Sequence, residues 1–174
     1  MSTAVPDRPV TPLRIERIER IEPLDARHAR ALLTVLDGYA RDPSGGGTGL
    51  TDDVKARLPA LLAQQAHYIG LLAFEGDRPV GLVNAFIGVS TFKAKPLLNI
   101  HDIAVEPDRR GAGIGRRLLA AVEALAREHG CCKLTLEVLE GNHTAVGLYR
   151  AVGFAAYELD PAMGAARFFE KWLT

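Results

Sequence analysis

Residues 109–117 read RRGAGIGRR, and this stretch narrows the choice of fold more than any other. It follows an apolar run, Leu97 to Val105, that Pro107 closes. It precedes a segment in which Ile114, Leu118, Leu119, Val122, Leu125 and Ala126 recur at helical spacing, with Gly130 as the stop. The chain is therefore expected to pass from a strand (97–105) through a glycine loop into a helix (113–129), a unit of the α/β or α+β class. A helix leaves its first N–H groups without intrahelical acceptors, and its dipole favours anions there. Glycines let a phosphate approach that backbone, and arginines add forked charge-assisted hydrogen bonds. A pyrophosphate fits this site; on local features alone, the same glycines also suit a tight turn with the arginines in solvent. Two other phosphate motifs fit worse. GAGIGR lacks the last glycine of G-x-G-x-x-G, and no Gly-Lys-Ser/Thr follows.

The rest of the chain sets bounds on function. A length of 174 residues suits one domain. A net charge of zero with 48% apolar residues suggests neither a disordered tail protein nor a wide basic footprint for nucleic acid. No apolar run reaches the roughly 18 residues of a membrane span, and MSTAVPDRPVTPLRIER carries proline and charge where a signal peptide has its apolar core. A soluble cytoplasmic protein with no membrane partner is the expectation. The two cysteines, Cys131 and Cys132, are adjacent, which suits neither a staple between distant segments nor a metal site. They are expected to be reduced packing residues near a strand start.

Periodicity divides the chain into a loose arm at residues 1–12 and a domain at 13–174. Leu13 to Ile21 is expected to be a strand, and DARHARALLTVLDGYARD a helix with Ala29, Leu32, Leu33 and Leu36 on one face. After the loop DPSGGGTG, Thr51 is placed to cap a second helix that Pro59 kinks or divides. HYIGLLAFEG and RPVGLVNAFIG form a hairpin about Glu75-Gly76-Asp77. Beyond the glycine loop and its helix come a strand at 133–140, a helix in HTAVGLYRAVG and two more strands, FAAYELD and ARFFEKWL.

Two stretches in this order, IAVEPDRRGAGIGRRLL (103–119) and LEVLEGNHTAVGLYRAVGF (136–154), resemble the central motifs of the GNAT superfamily of N-acetyltransferases. The resemblance covers residues 97–157. It implies an α/β fold whose central mixed, mostly antiparallel sheet has about six or seven strands and about four flanking helices. In that fold two parallel strands, here 97–105 and 133–139, splay apart. It also implies acetyl-CoA as acyl donor. Arg110, Gly113 and Gly115, with Gly111, Ala112, Ile114 and Arg116 beside them, would hold its pyrophosphate. Backbone at Ile103 and Val105 would meet the pantetheine arm, whose amides match exposed peptide groups. Asn142 would bind pantetheine or cap the helix it opens, with Ala145 and Tyr149 on the face toward the cofactor. The implied reaction is acetyl transfer to a primary amine by direct attack in a ternary complex; a non-catalytic acyl-CoA-binding sensor or regulatory domain is the alternative.

Such a reaction needs a proton for the departing thiolate and a base for the amine. The resemblance gives Tyr149 the first role; the bare pattern reads equally as a packed aromatic on an amphipathic helix. For the second, His101 has a pKa suited to neutral pH. Strand alternation puts His101 and Asp102 on opposite faces. The strand is weakly similar to the diamine acetyltransferases, which carry a glutamate where His101 stands, and a neutral histidine does not attract a polyamine as a carboxylate does. Asp102, Glu137 and water are the other candidates. The acceptor is expected to be a small-molecule or peptide amine, contacted by the loop 39–53; Asp37, Asp42, Asp52 and Asp53 could draw in a cation. Phe168, Phe169 and Trp172 are expected either to join a homodimer interface or to finish the core.

Overall fold

The computed structural model describes residues 17–157, 160, 162, 164 and 166–173, so the arm expected over residues 1–12 lies outside the described part. Five strands form one sheet in sequence order: β1 (Arg17–Arg20), β2 (Tyr68–Glu75), β3 (Arg78–Ser90), β4 (Lys95–Val105) and β5 (Leu134–Leu136). The first three pairings are antiparallel and β4–β5 is parallel. The hairpin falls where the sequence places it: Glu75 pairs with Arg78, and Gly76 takes the positive φ (57°) that so tight a turn requires.

Apolar side chains cover both faces of this sheet. On one face lie α1 (Ala26–Arg41) and α2 (Asp52–Ala63), whose Leu32, Val35, Leu36 and Leu62 bury against Leu72, Phe74, Leu82 and Ala104. On the other lie α3 (Ile114–Glu128) and α4 (His143–Ala151), packing Ile114, Leu118, Val122 and Tyr149 on Ile69, Leu71, Val83, Leu98 and Ile100. Full burial of one such leucine or isoleucine contributes about 1.5–3 kcal/mol, so the buried stripe of α3, more than helix propensity, fixes its place. The helix starts are capped as read from sequence. Thr51 Oγ1 accepts from the Val54 amide at 3.3 Å and Asn142 Oδ1 from the Ala145 amide at 3.1 Å.

Three expectations are corrected. First, α2 runs through Pro59 undivided. Second, five strands are present among the described residues, not six or seven. β5 spans three residues, shorter than 133–140. FAAYELD and ARFFEKWL form no ladder among their described residues, and Phe168, Phe169 and Trp172 are 76%, 85% and 82% exposed, so they do not finish the core. A segment becomes a strand only where an edge supplies hydrogen bonds, and alternation alone does not provide one.

Third, His101 and Asp102 share a face. The β3–β4 register runs Val83 to Ile103, Asn84 to Asp102, then Ala85 to Ile100, leaving His101 as an extra residue on β4. This β-bulge resets the alternation. Ile103 and Val105 before it and Leu98 and Ile100 after it all join the α3 side, while His101 and Asp102 line one cavity on the α1–α2 side.

Candidate active site

At the end of β4 the sheet opens. β5 pairs with β4 only through Leu98, Asn99 and Ile100, so from His101 onward β4 has β3 on one side and a gap on the other. A cleft of about 680 Å³ occupies this gap and runs to the start of α3. Its walls include Ile103, Val105, Arg110, Gly111, Gly113, Ile114, Gly115, Arg116, Asn142, Ala145 and Tyr149, eleven residues singled out in the sequence. Ala112 is not among the lining residues: its amide turns back toward the Arg109 carbonyl at 3.4 Å.

The glycines divide the work. Gly111 (φ 82°) and Gly113 (φ 80°) hold left-handed backbone with open space around them, which shapes the loop. Gly115 serves close packing, since a Cβ there would stand 2.9 Å from Leu148 Cδ2 of α4. Among the described residues, the amides of Ile114, Gly115 and Arg116 meet no protein acceptor and no side chain caps the helix. These are the free donors that an anion requires.

The flanking arginines differ. Arg109 Nε donates to Glu75 Oε2 at 2.6 Å, tying the glycine loop to the β2–β3 hairpin. Arg110 is more exposed; its Nε donates to the Val105 carbonyl at 3.2 Å and its Nη2 to Asp42 Oδ2 at 2.8 Å. Asp42 belongs to the α1–α2 connection, which with Tyr39, Pro43 and Ser44 forms a wall of the cleft that sequence reasoning did not assign to it. Tyr149 is buried deeper in the cleft, and burial first, then the nearby Tyr39, push its phenol up to about 12. It is a neutral acid at physiological pH.

A second cavity, of about 480 Å³, lies on the opposite face between α1, α2 and the bulge, lined by Leu36, Leu58, Leu61, Leu62, Gln65, Asn84, Phe86, His101 and Asp102. The His101 ring meets Phe86 edge to face at 5.1 Å. Glu137 is exposed past the end of β5 and lines neither cavity. Cys131 packs at the rim of the core, where burial raises its thiol, the opposite of what a reactive thiolate needs.

The sequence pattern of the acetyltransferase (GNAT) family matches residues 29–154, from α1 through α4. This chain belongs to that family. Similar proteins include bovine (Bos taurus) thialysine N-epsilon-acetyltransferase, 37% identical over 90 residues, 52% of this chain and 51% of that protein. Streptothricin acetyltransferase of Streptomyces lavendulae is 42% identical over 83 residues, 48% of this chain and 44% of that protein. The chain thus matches about half the length of these curated relatives. Among solved structures, an aminoglycoside acetyltransferase from an uncultured soil metagenomic sample, in complex with sisomicin, superposes with a TM-score of 0.72. It is 20% identical, covering 90% of this chain and 96% of the other. At that identity the likeness concerns the GNAT fold alone. Among the described residues no helix is long and apolar enough to cross a membrane.

Proposed function

We propose that this GNAT chain is an acetyl-CoA-dependent N-acetyltransferase that moves an acetyl group to a primary amine by direct attack in a ternary complex. One observation carries the reading. The three unpaired amides at the start of α3 open into a cleft that leads along the β4–β5 gap to a buried neutral phenol. The residues fit the cofactor. The amides of Ile114 to Arg116, with Arg110, would hold the pyrophosphate, and the unpaired edge of β4 at Ile103 and Val105 would offer hydrogen bonds to the pantetheine arm. When bound, acetyl-CoA supplies an activated acetyl group.

The chain's own residues then manage protons. Tyr149 keeps its Oη proton at neutral pH and gives it to the departing thiolate. His101, exposed in the cavity behind β4, takes the proton of the incoming amine at a ring nitrogen. Asp102 beside it offers a carboxylate to a cationic acceptor, so a small-molecule or peptide amine that carries positive charge suits the cavity. The similarity to enzymes named for thialysine and streptothricin supports such an acceptor.

Thermal unfolding with CoA tests the cleft, since a ligand at a hundredfold excess over its Kd adds about 2.7 kcal/mol. Thiol release from acetyl-CoA across a panel of amines tests the chemistry. The expected result is stabilisation together with amine-dependent thiol release. Stabilisation without release on any amine assigns a binding module instead, and no stabilisation overturns the cleft assignment.

A further inference from the structure

Asn84 is 3% exposed in the apolar stretch GLVNAFIG of β3. A buried amide is retained where its hydrogen bonds are met. Here both ends are engaged: Tyr68 Oη donates to Asn84 Oδ1 at 2.8 Å, and Asn84 Nδ2 donates to Asp102 Oδ2 at 3.0 Å. The chemistry fixes this orientation, because a carboxylate only accepts and would repel the amide oxygen. The path of the phenol is built in as well. Gly70 pairs with Asn84 across β2 and β3, and a Cβ on Gly70 would lie 2.1 Å from Tyr68 Oη and 2.6 Å from its Cζ. Glycine at that position leaves the room Tyr68 needs to cross the strand.

At the end of this relay stands a carboxylate unlike its neighbours. Asp37 pairs with Lys55 and Arg41, Asp42 with Arg110, Glu75 with Arg109 and Asp108 with Arg78. Half-buried Asp102 has no cationic partner among the described residues, and Asn84 is its only hydrogen-bond donor there. The groups facing it are Tyr39 of α1, Tyr68 of β2 and His101 of β4; its charge helps raise both phenols. Tyr39 lines the cleft at the start of α3 and Asp102 the cavity behind β4, and the charge on Asp102 is felt by that phenol.

We propose that Asn84, held by Tyr68 across Gly70, is a positioning residue that keeps one oxygen of Asp102 turned to the rear cavity, where it receives the ammonium form of the acceptor. The identity of that guest rests on the acetyl-transfer reading; the relay itself does not. Asp102 binds the cation, and Asn84 acts only through it.

Two measurements on the full chain separate these claims. In the 15N-labelled protein, the Asn84 side-chain amide should be protected from solvent hydrogen exchange by its bond to Asp102, and Asp102→Ala should speed that exchange. Side-chain amide exchange that Asp102→Ala leaves unchanged overturns the relay, whether or not any amine is acetylated. With 1,5-diaminopentane or thialysine as acceptor, Asn84→Leu should raise the acceptor KM about tenfold, as removing a hydrogen bond to a charged group predicts, with the acetyl-CoA KM unchanged. Asp102→Asn should do the same, and the double variant should be no worse than Asp102→Asn alone. Gly70→Ala and Tyr68→Phe should each give a smaller rise in the same constant. Additive losses, or an equal rise in the acetyl-CoA KM, overturn the positioning role. A wild-type chain that neither binds CoA nor releases thiol overturns the acetyl-transfer reading, and the amide exchange then decides the relay by itself.

Discussion

Arg110 and Asp42, 68 positions apart in sequence, meet at 2.8 Å at the wall of the cleft that opens at the start of α3. The contact joins the α1–α2 connection to the glycine loop and places a carboxylate where the diphosphate reading needs positive charge. Hydrogen bonds from the Ser44 hydroxyl and amide, then from Arg110, hold the Asp42 carboxyl down to about 2, so it stays ionised in any ordinary assay. An anion at the start of α3 that draws Arg110 onto itself breaks this pair.

Asp42→Asn should therefore tighten CoA binding, by up to about fivefold if the exposed pair is worth ~1 kcal/mol. Arg110→Gln should weaken it. Calorimetric titration with CoA checks both. Weaker binding by Asp42→Asn means instead that Asp42 holds Arg110 in its ligand-binding orientation.

Arg109 is expected to behave oppositely to its neighbour. Its side chain is 18% exposed and Glu75 beside it 11%, and the second Glu75 oxygen, Oε1, is buried with no partner among the described residues. Arg109→Met strips the remaining partner from this carboxylate and should cost about 2–3 kcal/mol of stability. The variant should still gain stability from CoA. Chemical denaturation with and without CoA makes the distinction, and a stable variant that has lost CoA binding would reassign Arg109 to the ligand.

Gly113→Ala puts a Cβ on backbone at φ 80° in open space, so the cost is conformational, about 1–2 kcal/mol. In a chain of this size that lowers the unfolding temperature by about 2–8 °C. Relaxing the strain tilts the first amides of α3, so CoA affinity should fall more than the stability loss explains. Equal CoA stabilisation in both proteins would show that these amides do not grip the ligand.

The glycine loop and α3 were legible because positive-φ positions and a 3.6-residue stripe are local properties. Asn142 was legible as a cap for the same reason. The bulge was not, although Ile100 and Ile103 carry its signature: two core residues three apart cannot share a face in a regular strand, and His101-Asp102 between them is the slack. Assuming strict alternation separated two side chains that one cavity unites. The meaning of Asn84 and Tyr68 depends on a cross-strand pairing that only the register reveals. Asp42 and Tyr39 entered the cleft through a long-range contact with no local trace. The two C-terminal segments alternate like strands, yet alternation does not state which edge would receive them.

Tyr149 supports a prediction in two parts. Burial first, and Tyr39 second, push its phenol up from the ordinary tyrosine range to about 12. A neutral acid with a raised folded pKa stabilises the fold fully below the unfolded value, and that stability drains away as pH climbs from about 10 toward about 12. Tyr149→Phe should thus flatten the alkaline loss of stability, which thermal unfolding across that window measures. In the assay, the same variant should lower kcat about 10²-fold, within the usual range for general acid–base catalysis, and leave CoA affinity nearly unchanged. An unaltered kcat would remove the phenol from the proton path while leaving its part in packing against Phe154, at a ring separation of 5.8 Å, intact.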